Sequence, residues 1–264
     1  MPAFDDDITA YYDRGEEAGR LSGWGRLEMV RTQVVLDGHL PPPPAVVLDV
    51  GGGPGAYAVW LAGLGYDVSL LDPVELHVRQ ARAAGVRAEM GDARALPFED
   101  ESADAVLLLG PLYHLPDDDD RRRALEEAHR VLKPGGVVAA AAISRFASTI
   151  DGLVKGHLEH LAFEPVIERV LEDGRHANPT RHPRWFTTAY FHLPDDLARE
   201  VRAAGFELAS LVAVEGVGAF LHDPDAWLDD PSRRAALLRA IARVETEPSL
   251  LGASPHLLAV GVKR

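Results

Sequence analysis

Val47-Leu48-Asp49-Val50-Gly51-Gly52-Gly53-Pro54-Gly55-Ala56 joins a β-branched run to a glycine-rich turn, and the segment Ala56–Leu64 behind it has helical spacing and stops at Gly65. A strand, a glycine turn and a helix in that order let the backbone pass close to a ligand while the first amides of the helix point at it. Gly51-x-Gly53-x-x-Ala56 fits the spacing of a dinucleotide-binding turn, a pattern of low specificity when it stands alone. The next strand-like run, Asp67–Leu71, is followed by Asp72, 21 residues after Gly51. A carboxylate there can accept both hydroxyls of a ribose. These residues point to a nucleotide-containing cofactor and leave its kind open.

The same rhythm continues outward. Val74–Ala84 is helical and stops at Gly85, Val86–Met90 and Ala105–Leu109 are strands, Pro116-Asp117 opens a helix to Leu132, Gly135-Gly136 breaks it, and Val137–Ile143 is a buried strand. Residues 145–193 interrupt the pattern with two helices, around Ile150–Ala162 and Pro165–Glu172, and an irregular stretch. It resumes with the helix Pro194–Ala204, the strand Phe206–Val214, a helical excursion at Pro224–Glu245 and a last strand, His256–Val262. Upstream, residues 5–38 read as one or two helices, with Trp24, Leu27, Val30, Val34 and Val35 at helical spacing, and Pro41–Pro44 marks the border. Strands apolar on both faces, alternating with helices, predict a doubly wound, mostly parallel α/β sheet. The expected organisation is a helical cap at 1–44, an α/β core at 45–144, a lid at 145–193 and the rest of the core at 194–264 with a helical insertion at about 223–247.

Composition narrows the chemistry. The chain has 264 residues, a net charge of −14, 47% hydrophobic residues and no cysteine. Disulfide scaffolds, thiolate nucleophiles and cysteine-ligated metals are excluded. The negative charge repels phosphate backbones, so no nucleic-acid partner is expected. The acidic start Met1-Pro2-Ala3-Phe4-Asp5-Asp6-Asp7 lacks the basic, then apolar, order of a secretory signal, and no apolar run approaches the ~20 residues of a membrane-spanning helix. A cytoplasmic protein without a membrane partner is the expectation.

Three features separate the candidate cofactors. Asp49 lies inside the first strand, Gly91-Asp92-Ala93-Arg94 follows the third, and Leu132-Lys133-Pro134-Gly135-Gly136 leads into the fifth. With these the sequence resembles the class I, seven-stranded, Rossmann-like S-adenosylmethionine-dependent methyltransferases, over residues 45–144 by motif and over 194–264 by rhythm. The resemblance implies S-adenosyl-L-methionine as methyl donor, S-adenosyl-L-homocysteine as product, and no metal. It implies that Gly51, Gly53 and Gly55 pass the methionine part of the cofactor with help from Asp49, that Asp72 with Pro73 holds the ribose, and that Asp92 and Ala93 meet the adenine, with Leu109 completing the set. In one branch of the family a helix before the core covers the amino-acid end of the cofactor. That makes Arg31 the candidate to pair the cofactor carboxylate through its guanidinium fork, and Tyr11-Tyr12 the candidates to close over the methyl group.

Methyl transfer is an in-line displacement on a carbon that the sulfonium already activates, so the protein mainly aligns the partners and excludes water. By the same resemblance the acceptor meets the methyl group beyond the fourth strand, at Leu109-Gly110-Pro111-Leu112-Tyr113-His114. Gly110-Pro111-Leu112-Tyr113 departs from the Asn/Asp-Pro-Pro-Tyr/Phe pattern of DNA and protein amine methyltransferases and lacks its polar acceptor. His114 is the candidate general base for a hydroxyl, with Tyr12 beside it as a catalytic candidate and Tyr113 facing the substrate. The cationic, aromatic stretch Arg175–Phe186 predicts a lid for an anionic or aromatic substrate, gripped by Arg181, His182, Arg184, Trp185 and Tyr190. Asp117–Asp120 before Arg121–Arg123 reads as a solvated helix start, and His157 and His160 lack a third ligand. The expected activity is methyl transfer to a small molecule, at an oxygen of a metabolite or natural product. A carboxyl methyltransferase acting on a peptide and a non-catalytic cofactor-binding regulator are the alternatives.

Overall fold

A computed structural model describes residues 6–264. Residues 1–5 of the expected cap, with most of the acidic start, lie outside the described residues. Nine strands are present among the described residues: β1 (Val46–Val50), β2 (Asp67–Asp72), β3 (Arg87–Met90), β4 (Ala103–Leu108), β5 (Leu132–Ser144), β6 (Arg175–His176), β7 (Ala189–His192), β8 (Phe206–Ala213) and β9 (His256–Lys263). Neighbours run β3-β2-β1-β4-β5, all parallel, and β9 then adds antiparallel to β5, with β8 antiparallel to β9. This is the mostly parallel, doubly wound Rossmann-like sheet expected. Its strands carry Val, Leu and Ala on both faces because helices cover both, giving two large apolar clusters, one on each side.

The covering helices follow their sequences. Asp118–Val131 starts on Asp118, Asp119 and Asp120, ends on His129 and Arg130 in accord with its dipole, and buries Ala124, Leu125, Ala128 and Val131 at three- and four-residue intervals. Pro194–Ala203 starts on proline and buries Leu197, Ala198 and Val201.

Several boundaries differ from expectation for identifiable reasons. Gly135-Gly136 does not end a helix before a separate strand; β5 runs through it, with a register shift against β4 between Ala103 and Ala105. The helix expected at Ile150–Ala162 stops at Val154, because Gly156 adopts φ +71° and starts a separate 3-10 turn, His157–Glu159. The excursion at 224–245 divides into Pro224–Asp229 and Pro231–Ala242, where the Asp230 side chain caps the second helix through the amides of Ser232 and Arg233. The irregular stretch before residue 193 contains β6 and β7. Ile143 and Ser144 of β5 outrun β4, whose pairing ends at Ala140, and there β7 pairs with them through Phe191 and His192. Because β9 already occupies the other side of β5, β7 sits on the side of β4 and brings the insertion over its C-terminal end.

Candidate active site

A cleft of about 440 Å³ opens at the C-terminal ends of β1, β2 and β4, and the glycine turn forms its floor. Gly51 adopts φ +67°, and a Cβ there would lie 2.8 Å from the Pro111 side chain. A Cβ on Gly52 would lie 2.6 Å from Cγ of Asp49. No side chain fits at either position, so the turn holds its amides close to whatever occupies the cleft.

Three acids border this floor, each set differently. Asp72 ends β2 and is tied down on both oxygens: Oδ2 accepts from the Gly53 amide at 2.8 Å, and Oδ1 accepts from the Val74 amide at 2.8 Å and lies 3.1 Å from His77 Nδ1. Asp92 is bound by Arg94, which also reaches Asp120. Burial pulls against it, yet the Arg94 bonds and charge hold Asp92 below its ordinary pKa. Asp49 is fully buried in β1, and neither of its oxygens has a hydrogen-bond partner among the described residues. Burial first, and the Asp72 charge second, push its pKa up to about 7.

The wall opposite comes from the N-terminal helices and from the loop after β4. Tyr12 Oη lies 2.6 Å from His114 Nε2, although 102 residues separate them in the chain. The Thr188 carbonyl lies 3.4 Å from His114 Nδ1 and only accepts, so that nitrogen carries the proton and Nε2 accepts from Tyr12. Burial lowers the His114 pKa to about 4, against the opposing Thr188 bond, and burial also raises Tyr12 well above its ordinary value. Tyr113, in edge contact with the His114 ring at 4.8 Å, lines the same cleft. Sequence reading thus placed Asp49, Gly51, Gly53, Gly55, Asp72, Pro73, Asp92, Ala93, Leu109, Tyr12, Tyr113 and His114 together, and all of them line the cleft.

Arg31 is a correction. It is fully buried, its Nε donates to the Val214 carbonyl at 3.0 Å and its other arm pairs with Glu245, so it ties the helix Arg26–Asp37 to the C-terminal half instead of lining the cleft. The cation at the cleft is Arg20, held by Glu17 at 2.7 Å and by Glu28. Behind Glu28 stand His256 and Glu215, 2.6 Å apart. Burial alone would lower His256, but the charges of Glu215 and Glu28 outweigh it and hold it at about 9, so the network is an alternation of charges around Arg20. The signal missed was Glu17-x-x-Arg20, a helical i,i+3 pair in a segment too short for periodicity to mark.

The lid residues are also corrected. Arg181 is 84% exposed and pairs with Asp7, and Arg184 points outward near His160. His182 stacks on Trp185, which is buried against Phe163 in a separate apolar cluster. Tyr190 lies under the Arg121 guanidinium at 3.8 Å. None of these five lines the cleft. The insertion meets the site through other groups, the Thr188 carbonyl and the Phe186 ring, which lies 5.5 Å from that of His114 and 5.4 Å from that of Tyr11.

A parallel sheet with a nucleotide cleft at its switch point defines a class of cofactor-binding α/β domain, and the residues present fit a methionine-bearing nucleoside. Asp49 offers two unpartnered carboxylate oxygens to a cation, and the glycine floor leaves room that any side chain would fill. Residues 48–140 match the family model described as a methyltransferase domain. The chain is 31% identical over 193 residues to the ubiquinone/menaquinone biosynthesis C-methyltransferase UbiE of Acidiphilium cryptum, covering 69% of this chain and 74% of that one. It is 35% identical over 149 residues to a demethylmenaquinone methyltransferase of Renibacterium salmoninarum, covering 54% and 59%. A SAM-dependent methyltransferase structure from Thermotoga maritima superposes with a TM-score of 0.60 at 22% identity, covering 97% of this chain and all of that one, and so matches the fold. The chain belongs to the class I S-adenosylmethionine-dependent methyltransferases, and S-adenosylmethionine is its methyl donor. No described helix is long and apolar enough to cross a membrane.

Proposed function

We propose that the chain methylates a small, aromatic or enolic acceptor whose hydroxyl proton passes to the Tyr12–His114 pair. The observation that carries this reading is the 2.6 Å contact of Tyr12 Oη with His114 Nε2 at the cleft wall. Tyr12 donates to His114 and keeps oxygen lone pairs for a substrate hydroxyl, while the neutral imidazole receives the proton relayed through it. S-adenosylmethionine, when bound, supplies an electrophilic methyl carbon. Around it Asp72 holds the ribose, Asp92 and Ala93 meet the adenine, Arg20 faces the cofactor carboxylate, and Asp49 balances the cationic end. Tyr113 offers aromatic surface in the cleft to a ring, and Phe186 and Tyr11 pack behind the Tyr12–His114 pair without lining the cleft.

Removing the hydroxyl proton raises the electron density of both the oxygen and the ring carbon beside it, so one base serves either product. Oxygen is the acceptor atom expected from the sequence; the relative named as a quinone C-methyltransferase favours the carbon. The outward-facing Arg181 and Arg184 give no support to a peptide carboxyl substrate. The test is a screen of phenols, enols and hydroquinones with mass and NMR analysis of the products. Tyr12→Phe and His114→Asn should each lower kcat about a hundredfold or more while S-adenosylhomocysteine affinity stays within a few fold. Variants as active as the parent would refute the role of the pair.

A further inference from the structure

His77 belongs to none of the expected sites, yet it is 3% exposed in the cleft wall and one of its nitrogens has no partner. It sits in the first turn of the helix Glu75–Ala83, and its ring meets that of Tyr12 edge-on at 5.0 Å. Its Nδ1 lies 3.1 Å from Asp72 Oδ1. A carboxylate only accepts, so Nδ1 carries a proton, and in the neutral imidazole Nε2 is left as a bare acceptor. Among the described residues that Nε2 is buried and unpaired, an arrangement folded proteins rarely leave without a ligand or water.

Asp72 explains what the acceptor is for. A carboxylate offers about four lone-pair positions, and those of Asp72 already receive the amides of Gly53 and Val74 and the His77 N–H. Oδ1 is filled by two donors and Oδ2 has one position left. A ribose presents two neighbouring hydroxyls, each needing an acceptor, so Asp72 alone satisfies one of them.

We propose that His77 completes the ribose site, its Nε2 accepting one hydroxyl of the cofactor ribose while Asp72 Oδ2 accepts the other. The proposal rests on the assignment of Asp72 to the ribose. It makes His77 a cofactor-binding residue, and it places the ring that reads the ribose directly against Tyr12, so that bound cofactor also fixes the tyrosine of the proton relay.

The experiment is a calorimetric double-mutant cycle on the full chain with S-adenosylhomocysteine and its 2′-deoxy and 3′-deoxy analogues. In the parent each analogue should bind roughly tenfold more weakly than the full ligand, because each leaves one buried acceptor unpaired. In His77→Phe, which keeps an aromatic ring against Tyr12 and has no acceptor, the full ligand should bind roughly tenfold more weakly. One of the two analogues should then bind that variant as well as the full ligand does, whereas the other keeps its loss. His77→Gln, whose amide can donate to Asp72 and accept a hydroxyl, should recover most of the affinity. Equal losses for both analogues in the parent and in His77→Phe would overturn the proposal, as would a fall in turnover with cofactor affinity unchanged. If neither analogue is weakened in the parent, the ribose assignment of Asp72 fails first, a result distinct from a failure of His77 alone.

Discussion

At pH 8 the cofactor-free Asp49→Asn variant should be more stable than the parent, although it removes a charge from the centre of the site. Asp49 is fully buried in β1, with no partner for either oxygen among the described residues, and its pKa is raised from 3.8 to about 7 by burial and by Asp72. An acid whose pKa is raised on folding favours the native state at low pH and loses that contribution as pH climbs through the native value. Here the loss runs from about pH 4 to pH 7. About three pH units at ~1.36 kcal/mol each is roughly 4 kcal/mol, of which about 2.5 kcal/mol accrues between pH 5 and pH 8. Asparagine has no such dependence. Urea unfolding of both proteins at the two pH values should therefore show the variant gaining on the parent by about 2.5 kcal/mol from pH 5 to pH 8. A difference independent of pH would refute the reading of Asp49 as a buried, uncompensated acid. The same acid should release a proton when the cationic cofactor binds near pH 6.5, seen as a dependence of binding enthalpy on the buffer.

The other predictions concern neighbouring residues. Arg31→Ala should lower stability by about 3 kcal/mol, by leaving Glu245 without its buried partner, and should leave cofactor affinity unchanged; Arg20→Ala should weaken cofactor binding roughly tenfold. The reverse pattern in melting and calorimetry would restore Arg31 to the site. Because burial holds His114 at about 4, lowering the pH from 8 to 5 does not charge it, and kcat at saturating cofactor should stay flat over that range. An inflection near pH 6.5 that His114→Asn abolishes would contradict this. Arg181→Ala combined with Arg184→Ala should change the acceptor KM less than twofold, since both side chains face outward, and a rise of several fold would return the cationic stretch to the substrate.

The sheet was legible because its strands are buried on both faces and so read as apolar runs, and because Gly65 and Gly85 fall just past the ends of their helices. The β-branched run before the glycine turn is β1, which ends at Val50 where the turn begins. The cofactor floor was equally legible, since Gly51, Asp49, Asp72 and Asp92 lie at strand ends whose position follows from the sheet. What escaped was set by packing between distant segments. Whether Arg20 or Arg31 reaches the cleft depends on how the N-terminal helices lie against Val214 and Glu245, 183 and 214 residues on from Arg31. His77 looks like any amphipathic helix residue until Asp72 is seen to bind it. A four-residue strand such as β7 depends on partners that outrun their own neighbours, and periodicity over four residues carries little information.

The place of β9 governs the order in which the sheet can be assembled during translation. Residues 46–144 emerge with β5 as an open apolar border, and the strand that closes it begins only at His256, about 110 residues later. At ~5–20 residues per second that delay is roughly 5 to 20 seconds. β8 emerges earlier than β9 and pairs only with it among the described residues, so it waits as well. A nascent chain with an unpaired hydrophobic strand for that long invites strand addition by other chains. The methyl donor's cleft is thus framed before the strand that secures it has been made.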